Sequence, residues 1–326
     1  MVTKTTKTAR RIPQIVLTSS RKVVECKPLA LGEDEAAVDS AVRTLESAVG
    51  DCVRDVRGGG VHKMLELRNG WRVACSPAAE AEALHLFNEI VVDNTYFQHL
   101  GIEPVPDGVV VDVGANIGMF LLATNARLRH AGLPRTRKYL AIEPLESNLM
   151  AFKTNMWMHN ASAGVEVVQV GVTNEATARL GEADFTYFPS MPGNSTMHPD
   201  EKIMLQRDSM RPEYFANSEV VSCPVATLTS VLKLHPDITR VDLLKIDCEG
   251  CELEVLEGLS DECWRIVAQI VLEVHDVDNR VARIEGMLKS RGFETLADAH
   301  EAGASAFLVY ACRRIASPLQ HIPSGG

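Results

Sequence analysis

Asp112, Gly114, Asn116 and Gly118 occupy every second position of one short stretch, directly after the β-branched run Val109-Val110-Val111. An acid and two glycines between an apolar strand and an apolar helical pattern bring a tight loop and a helix N-terminus to one point. Such a point suits a polar cofactor, because glycine lets the backbone approach closely and the free N–H groups of a helix start need acceptors. The spacing is Asp-x-Gly-x-Asn-x-Gly, not Gly-x-Gly-x-x-Gly. Asn116 stands where a dinucleotide fold needs the glycine that admits a pyrophosphate. A cofactor without a pyrophosphate fits better, and S-adenosylmethionine is the candidate, with an amino-acid end for the loop amides, a ribose and an adenine. The loop residues Gly114, Ala115 and Asn116, flanked by Asp112 and Gly118, are the expected contacts. A tight βα turn with glycines for packing is the simpler alternative.

Further acids follow at equivalent places. Glu143 ends the apolar run Tyr139-Leu140-Ala141-Ile142, 29 positions after Gly114, where a carboxylate can accept hydrogen bonds from two vicinal ribose hydroxyls. Asn148, on the first turn of the next helix, is a second expected polar contact, or else a solvated helix residue. Asp247 and Glu249 follow Leu243-Leu244-Lys245-Ile246, and Gly250 then allows a sharp turn into a helix. Either acid could orient or deprotonate an acceptor hydroxyl, and Asp247 is also expected to touch the cofactor. N-capping and surface charge are the bland reading of both. His275 ends the next apolar run, Val271-Leu272-Glu273-Val274, and is placed as a general base or a substrate contact. The expected catalytic set is Asp247, Glu249 and His275.

The elements that must position these residues alternate. Strands are expected at Val109–Val113, Tyr139–Ile142, Val165–Val170, Val241–Ile246 and Ile266–Val274. Helices are expected at Met119–Arg129, Leu145–His159, Thr227–Leu234, Glu252–Leu259 and Asp278–Arg291, and Phe293–Leu296 with Phe307–Cys312 form a last strand pair. Repeated βα units predict an α/β fold with a Rossmann-like, doubly wound, mostly parallel sheet, whose ligands sit beyond the strand carboxyl ends where strand order reverses. Ahead of it, residues 1–12 read as a disordered basic tail and 13–103 as an N-terminal extension packing on the core. That extension holds a helix over Glu33–Val49, a hairpin over Lys63–Ser76 turning at Asn69-Gly70, and a mostly helical Pro77–Leu100. The part with repeated βα units spans 104–315, and 316–326 is a flexible end. The section Asn174–Val221 breaks the alternation. Within it, residues 184–210 carry Phe185, Tyr187, Phe188, Met191 and Met197 as exposed-type apolar side chains, which suits either a lid over the site or a hairpin covering the sheet edge.

Composition narrows the classes. The 326 residues are 46% hydrophobic and 23% charged with a formal net charge of −10, and no basic stripe exists to neutralise phosphates, so no nucleic-acid partner is expected. No apolar run reaches the ~18–20 residues of a membrane span, and the basic N-terminus lacks a signal-peptide core. Eight scattered cysteines suit a reducing cytoplasm. The expected partner is a small-molecule acceptor. Oligomeric state is open, a homo-oligomer included.

The Asp112–Gly118 loop, Ala141-Ile142-Glu143-Pro144, Gly193-Asn194-Ser195-Thr196, Thr227-Leu228, Leu244-Lys245-Ile246-Asp247-Cys248-Glu249-Gly250-Cys251-Glu252 and Val271-Leu272-Glu273-Val274-His275 together resemble the FkbM-type family of SAM-dependent methyltransferases. The resemblance covers roughly residues 84–312, and Lys-Ile-Asp-x-Glu-Gly-x-Glu is its most specific block. It implies a class I methyltransferase fold and methylation of an oxygen on a sugar, polyketide or related natural product. The lead-in Glu89–Ile102, with Tyr96, His99 and Gly101, resembles members that accompany polyketide and peptide synthetases. Two positions depart from the family pattern. Cys248 and Cys251 stand where small apolar residues are usual, and with no second Cys or His pair at zinc spacing they read as small buried residues, with no metal expected. Thr229 stands where an acid commonly follows Thr-Leu, and reads as a helix start. N-methylation, a non-catalytic SAM-binding scaffold and a nicotinamide oxidoreductase are the rivals, the last opposed by Asn116.

Overall fold

A computed structural model describes residues 62–206, 217–299 and 306–313. The expected basic tail, the helix over Glu33–Val49 and the end segment 316–326 lie outside the described residues. Seven strands form the central sheet: β3 (Val109–Val113), β4 (Lys138–Ile142), β5 (Val165–Val168), β9 (Leu243–Ile246), β10 (Gln269–His275), β11 (Phe293–Ala299) and β12 (Ala306–Arg313), in the order β11-β12-β10-β9-β3-β4-β5. β3, β4, β5, β9 and β10 run parallel, and β12 is antiparallel to both its neighbours. This is the doubly wound, mostly parallel sheet that the βα alternation predicts.

The chain winds from β3 outward to β5 and then returns to place β9 on the other side of β3. Strand order therefore reverses between β3 and β9, and a crevice opens beyond their carboxyl ends. Val109–Val113 is buried throughout, because helices cover both sheet faces. Val111, Leu140, Leu244 and Leu272 pack on one face. Val110, Tyr139, Leu243 and Val271 pack on the other.

The connecting helices are α2 (Met119–His130), α3 (Glu146–Met158), α6 (Leu228–Lys233), α7 (Glu252–Glu257), α8 (Asp261–Ile266) and α9 (Arg280–Ser290). Ahead of the sheet, β1 (Lys63–Glu66) and β2 (Arg72–Cys75) pair antiparallel around the Asn69-Gly70 turn. Asn155 of α3 docks this hairpin: its side-chain oxygen accepts from Ala74 N at 2.6 Å, and its amide donates to Ala74 O at 3.1 Å and to Ile117 O at 2.9 Å.

Pro77–Leu100 is mostly helical, as expected, in four pieces: a 3-10 turn, α1 (Glu80–Leu86), a π-helical turn over Phe87–Val92 and a second 3-10 turn at Thr95–Phe97. Other boundaries differ from expectation. Val165–Val170 stops at Val168, because Gly171–Val172 leave the sheet as β6 of a separate three-stranded sheet. Ile266 closes α8, so the strand starts at Gln269. The irregular section contains α4 (Glu175–Ala178), β7 (Glu182–Tyr187), α5 (Pro199–Gln206) and the start of β8 (Glu219–Ala226), and β7 pairs antiparallel with β8 beside β6. Phe185, Phe188 and Met191 are buried there and not exposed. Among the described residues no helix is long and apolar enough to cross a membrane.

Candidate functional site

A cleft enclosing about 740 Å³ of non-atom space, its open mouth included, lies at the strand-order reversal. Small-molecule sites commonly run ~300–1,000 Å³. Its floor is the β3 loop, Gly114 to Asn116, and the start of α2 at Met119 and Phe120. One end is walled by Glu143, Leu145, Asn148, Val170, Val172 and Phe185. The other is walled by Leu86, Ile90, Pro192, Gly193, Met197, Lys245, Asp247 and Glu249. Residues of the expected lid segment thus form standing wall. Ile90 belongs to the π-helical turn, a rare geometry that recurs at functional sites.

Close approach dictates the loop sequence. Gly114 has φ +79°, and a Cβ there would sit 1.7 Å from the Asp247 carbonyl oxygen. Asn116 also lies in the left-handed region, φ +46°, which asparagine tolerates better than most residues. Its backbone N–H donates to Glu143 Oε2 at 3.0 Å. Its side-chain oxygen is shielded from solvent and makes no hydrogen bond. On the far side, a Cβ at Gly193 would lie 2.3 Å from Asn116 Nδ2.

Glu143 Oε1 accepts from Leu145 N and Asn148 Nδ2, both at 3.1 Å. Burial pushes its carboxyl up to about 7, although these donors and Asn116 N pull the other way. Three of roughly four lone-pair positions on a carboxylate are then occupied, and one remains for a donor in the cleft. Glu82 of α1 is a second buried acid, accepting from Gly193 N at 2.8 Å, and burial pushes it up to about 8.

The other end is organised by Lys245, which is 3% exposed. Its ammonium lies 3.2 Å from Asp112 Oδ1 and 3.2 Å from Asp247 Oδ2, and donates to Gly114 O at 2.8 Å. Asp112 and Lys245 are register partners on β3 and β9. Tyr96 donates to Asp247 Oδ2 at 3.0 Å and stands 3.4 Å from Glu273 Oε2. Burial raises the Asp247 carboxyl, but Lys245, Tyr96 and His275 outweigh it and hold the group below its ordinary value. Glu273 goes the opposite way: burial, then Glu89, Asp247 and Glu249, push it well above the glutamate range.

The structure sorts the expected residues. Gly114, Ala115, Asn116, Glu143, Asn148, Asp247 and Glu249 line the cleft. Asp112 does not: it is fully buried beneath the loop, with Tyr139 donating to Oδ2 at 2.5 Å and Lys245 beside Oδ1. Gly118 is also behind the wall, where a Cβ would meet Met156 and Phe152. His275 stands behind Glu249, its Nε2 3.4 Å from Glu249 Oε2 and 3.4 Å from the Lys202 ammonium. It faces those groups and not the cleft. Lys202 also pairs with Glu249. Cys251 is buried, whereas Cys248 is partly exposed in the cleft wall. Thr229 is the second residue of α6, two past the true cap Thr227.

Sequence reasoning assigned no role to Lys245, Tyr96 or Glu82. A lysine inside the apolar run Leu243-Leu244-Lys245-Ile246 is itself a signal, since a cation fully buried in a strand requires partners. Tyr96 and Glu82 reach the site from the N-terminal segment; Tyr96 belongs to the lead-in motif, which gives it no role, and nothing local marks Glu82.

Comparison with known proteins follows the same residues. The Methyltransferase FkbM domain model matches residues 112–295. Methyltransferase sdnD of Sordaria araneosa is 32% identical over 264 residues, 76% of this chain and 96% of that protein. Methyltransferase 1 of Beauveria bassiana is 33% identical over 234 residues, 70% and 88% of the two chains. The 31-O-demethyl-FK506 methyltransferase FkbM of Streptomyces tacrolimicus is 35% identical over 254 residues, 73% and 91%.

Proposed function

The chain belongs to the FkbM methyltransferase family, and from that premise we propose that it transfers a methyl group from S-adenosylmethionine to a hydroxyl oxygen of a small natural product. The observation that carries this reading is the cleft at the β3/β9 reversal, with an ionised Asp247 at one end and a buried acid, Glu143, at the other. The relative from Streptomyces tacrolimicus is named a 31-O-demethyl-FK506 methyltransferase, which favours oxygen as the acceptor atom.

The residues present fit the cofactor. Glu143 retains acceptor capacity for ribose hydroxyls, and the buried Asn116 side-chain oxygen, otherwise without a hydrogen bond, can accept from the cofactor's polar groups. Val170, Val172, Leu145 and Phe185 offer an apolar slot for adenine. S-adenosylmethionine, when bound, supplies an electrophilic methyl group on a sulfonium.

Asp247 is the residue that meets the acceptor. Lys245 and Tyr96 fix its carboxylate through Oδ2, so it orients a hydroxyl by accepting its hydrogen bond and takes the proton as the O–CH3 bond forms. Its depressed basicity means that the proton moves late, once the oxygen has begun to lose charge to the new bond. Asp247 and Glu249 present carboxylate oxygens to this end of the cleft, acceptors that suit a hydroxyl donor. Glu249, held by Lys202, shapes the acceptor end, and His275 positions Glu249 from behind. Leu86, Ile90, Pro192 and Met197 provide apolar walls that exclude water.

Methyl transfer from labelled S-adenosylmethionine to hydroxyl-bearing, amine-bearing and carboxylate-bearing acceptors tests the reading. Transfer to hydroxyls, strongly reduced in Asp247→Asn, is expected. Transfer only to amines, or none with any acceptor, would overturn it.

A further inference from the structure

The loop Thr196–His198 crosses the start of α7 just behind the cleft wall. Thr196 Oγ1 donates to Glu249 O at 2.6 Å and accepts from His198 N at 2.8 Å, which fixes the loop. Within this crossing, a ring nitrogen of His198, the Cys251 sulfur and a Glu254 carboxylate oxygen all lie within 4.8 Å of one another. Cys251 and Glu254 are three residues apart at the head of α7 and so share a face. His198 Nε2, shielded from solvent, is paired with Glu254 Oε1 at 3.0 Å. The other Glu254 oxygen accepts from Thr173 Oγ1, which sets the carboxylate's orientation from outside.

We propose that His198, Cys251 and Glu254 bind a single transition-metal dication of the zinc class. An imidazole nitrogen, a thiolate and a carboxylate are the donor types of three-ligand zinc sites, which leave a fourth position for a water or another oxygen. Magnesium and calcium, which require oxygen ligands, do not match the set. With Zn–N about 2.0 Å and Zn–S about 2.3 Å, the edges of a tetrahedron are about 3.5 Å. The three atoms lie within 4.8 Å of one another, so any edge would close by at most about 1.3 Å, and the His198 side chain is 29% exposed. Thr173 supplies the outer-shell hydrogen bond that such carboxylate ligands carry.

Glu252, next to Cys251 in the chain, is fully buried, and its Oε2 lies 3.6 Å from Arg280 Nη1. On loading, the Cys251 S–H bond breaks, its proton leaves to solvent and the thiolate electron pair forms the bond to the metal. Cys251 also lines the cleft, so the ion would sit in the wall of the methyl-transfer site. Cys248, although it completes a Cys-x-x-Cys spacing, takes no part.

The test does not depend on the reaction assigned to the cleft. Full-length protein stripped with a chelator is titrated with Co(II). One equivalent should bind with a thiolate-to-cobalt charge-transfer band and the d–d absorption of a four-coordinate ion, and Zn(II) should displace it. Cys251→Ser should abolish the charge-transfer band, Cys248→Ser should keep it, and His198→Ala and Glu254→Gln should each weaken Co(II) binding at least about tenfold. The unfolding midpoint of each stripped variant shows that it is folded, and His198→Ala and Glu254→Gln carry the test if Cys251→Ser is not. Absence of stoichiometric binding, a band that survives Cys251→Ser, or unchanged affinity in both other variants would overturn the proposal.

Discussion

The Lys245 ammonium lies 3.2 Å from Asp247 Oδ2, joined to it across the turn that ends β9. Lys245 also faces Asp112 at 3.2 Å, so one buried cation serves two acids, one under the β3 loop and the other in the cleft wall. Removing one partner of a buried ion pair costs about 3–5 kcal/mol, because the remaining charge is left uncompensated. Lys245→Met is therefore expected to lose stability of that order in urea unfolding. The double variant Lys245→Met/Asp112→Asn should regain part of it. A single variant as stable as the wild type would contradict this role.

Gly114 and Gly118 separate two uses of glycine. A Cβ at Gly114 would collide with the Asp247 backbone, whereas at Gly118 it meets the ends of the Met156 and Phe152 side chains. Gly114→Ala should weaken S-adenosylmethionine binding by more than about tenfold, equivalent to 1.4 kcal/mol. Gly118→Ala should mainly lower the unfolding temperature. Calorimetric titration and thermal unfolding of both variants distinguish the two effects.

Tyr96 sets the basicity of Asp247. Its hydroxyl donates to the carboxylate and thereby helps hold it below the ordinary value, after Lys245. Tyr96→Phe should raise the acid limb of the kcat–pH profile while leaving S-adenosylmethionine affinity nearly unchanged. An unshifted limb would remove Asp247 from proton transfer.

Glu82 gives the cleft wall a pH signature. Its carboxyl is pushed from 4.5 up to about 8 by burial. The folded state thus holds a proton that the unfolded chain has released. This contribution to stability is complete below about pH 4.5 and is lost as pH rises through about 8, and Glu143 acts with the same sign up to about 7. The unfolding free energy from urea titration should fall between pH 5 and pH 8 by a few kcal/mol, on the scale of about 1.4 kcal/mol per unit. Glu82→Gln should flatten that slope, and an unaltered slope would show that Glu82 is not the group responsible.

Much of the site follows from local pattern. Three consecutive valines ending at Asp112 read as a doubly covered strand, and an acid at the end of β4 or β9 must emerge at the same sheet edge. That reasoning located Glu143, Asp247 and Glu249. It misplaced Asp112 and His275, because strand periodicity gives a residue's face but not whether another side chain stands between it and the cleft. Glu249 stands between His275 and the opening, and the loop lies above Asp112. It missed Tyr96 and Glu82, which contact Asp247 and Gly193 across 151 and 111 positions of chain. The π-helical turn that carries Ile90 is set by packing against α2, and no spacing in the sequence announces it.

The central claim is that the β3-loop cleft binds S-adenosylmethionine through Glu143. Isothermal titration with S-adenosylmethionine, S-adenosylhomocysteine and NAD tests it most directly. The two adenosyl ligands should bind the wild type and NAD should not. Glu143→Gln, which leaves a buried donor without its acceptor at about 1–3 kcal/mol, should weaken both adenosyl ligands about tenfold or more. Binding of NAD in their place, or adenosyl affinities untouched by Glu143→Gln, would contradict the account.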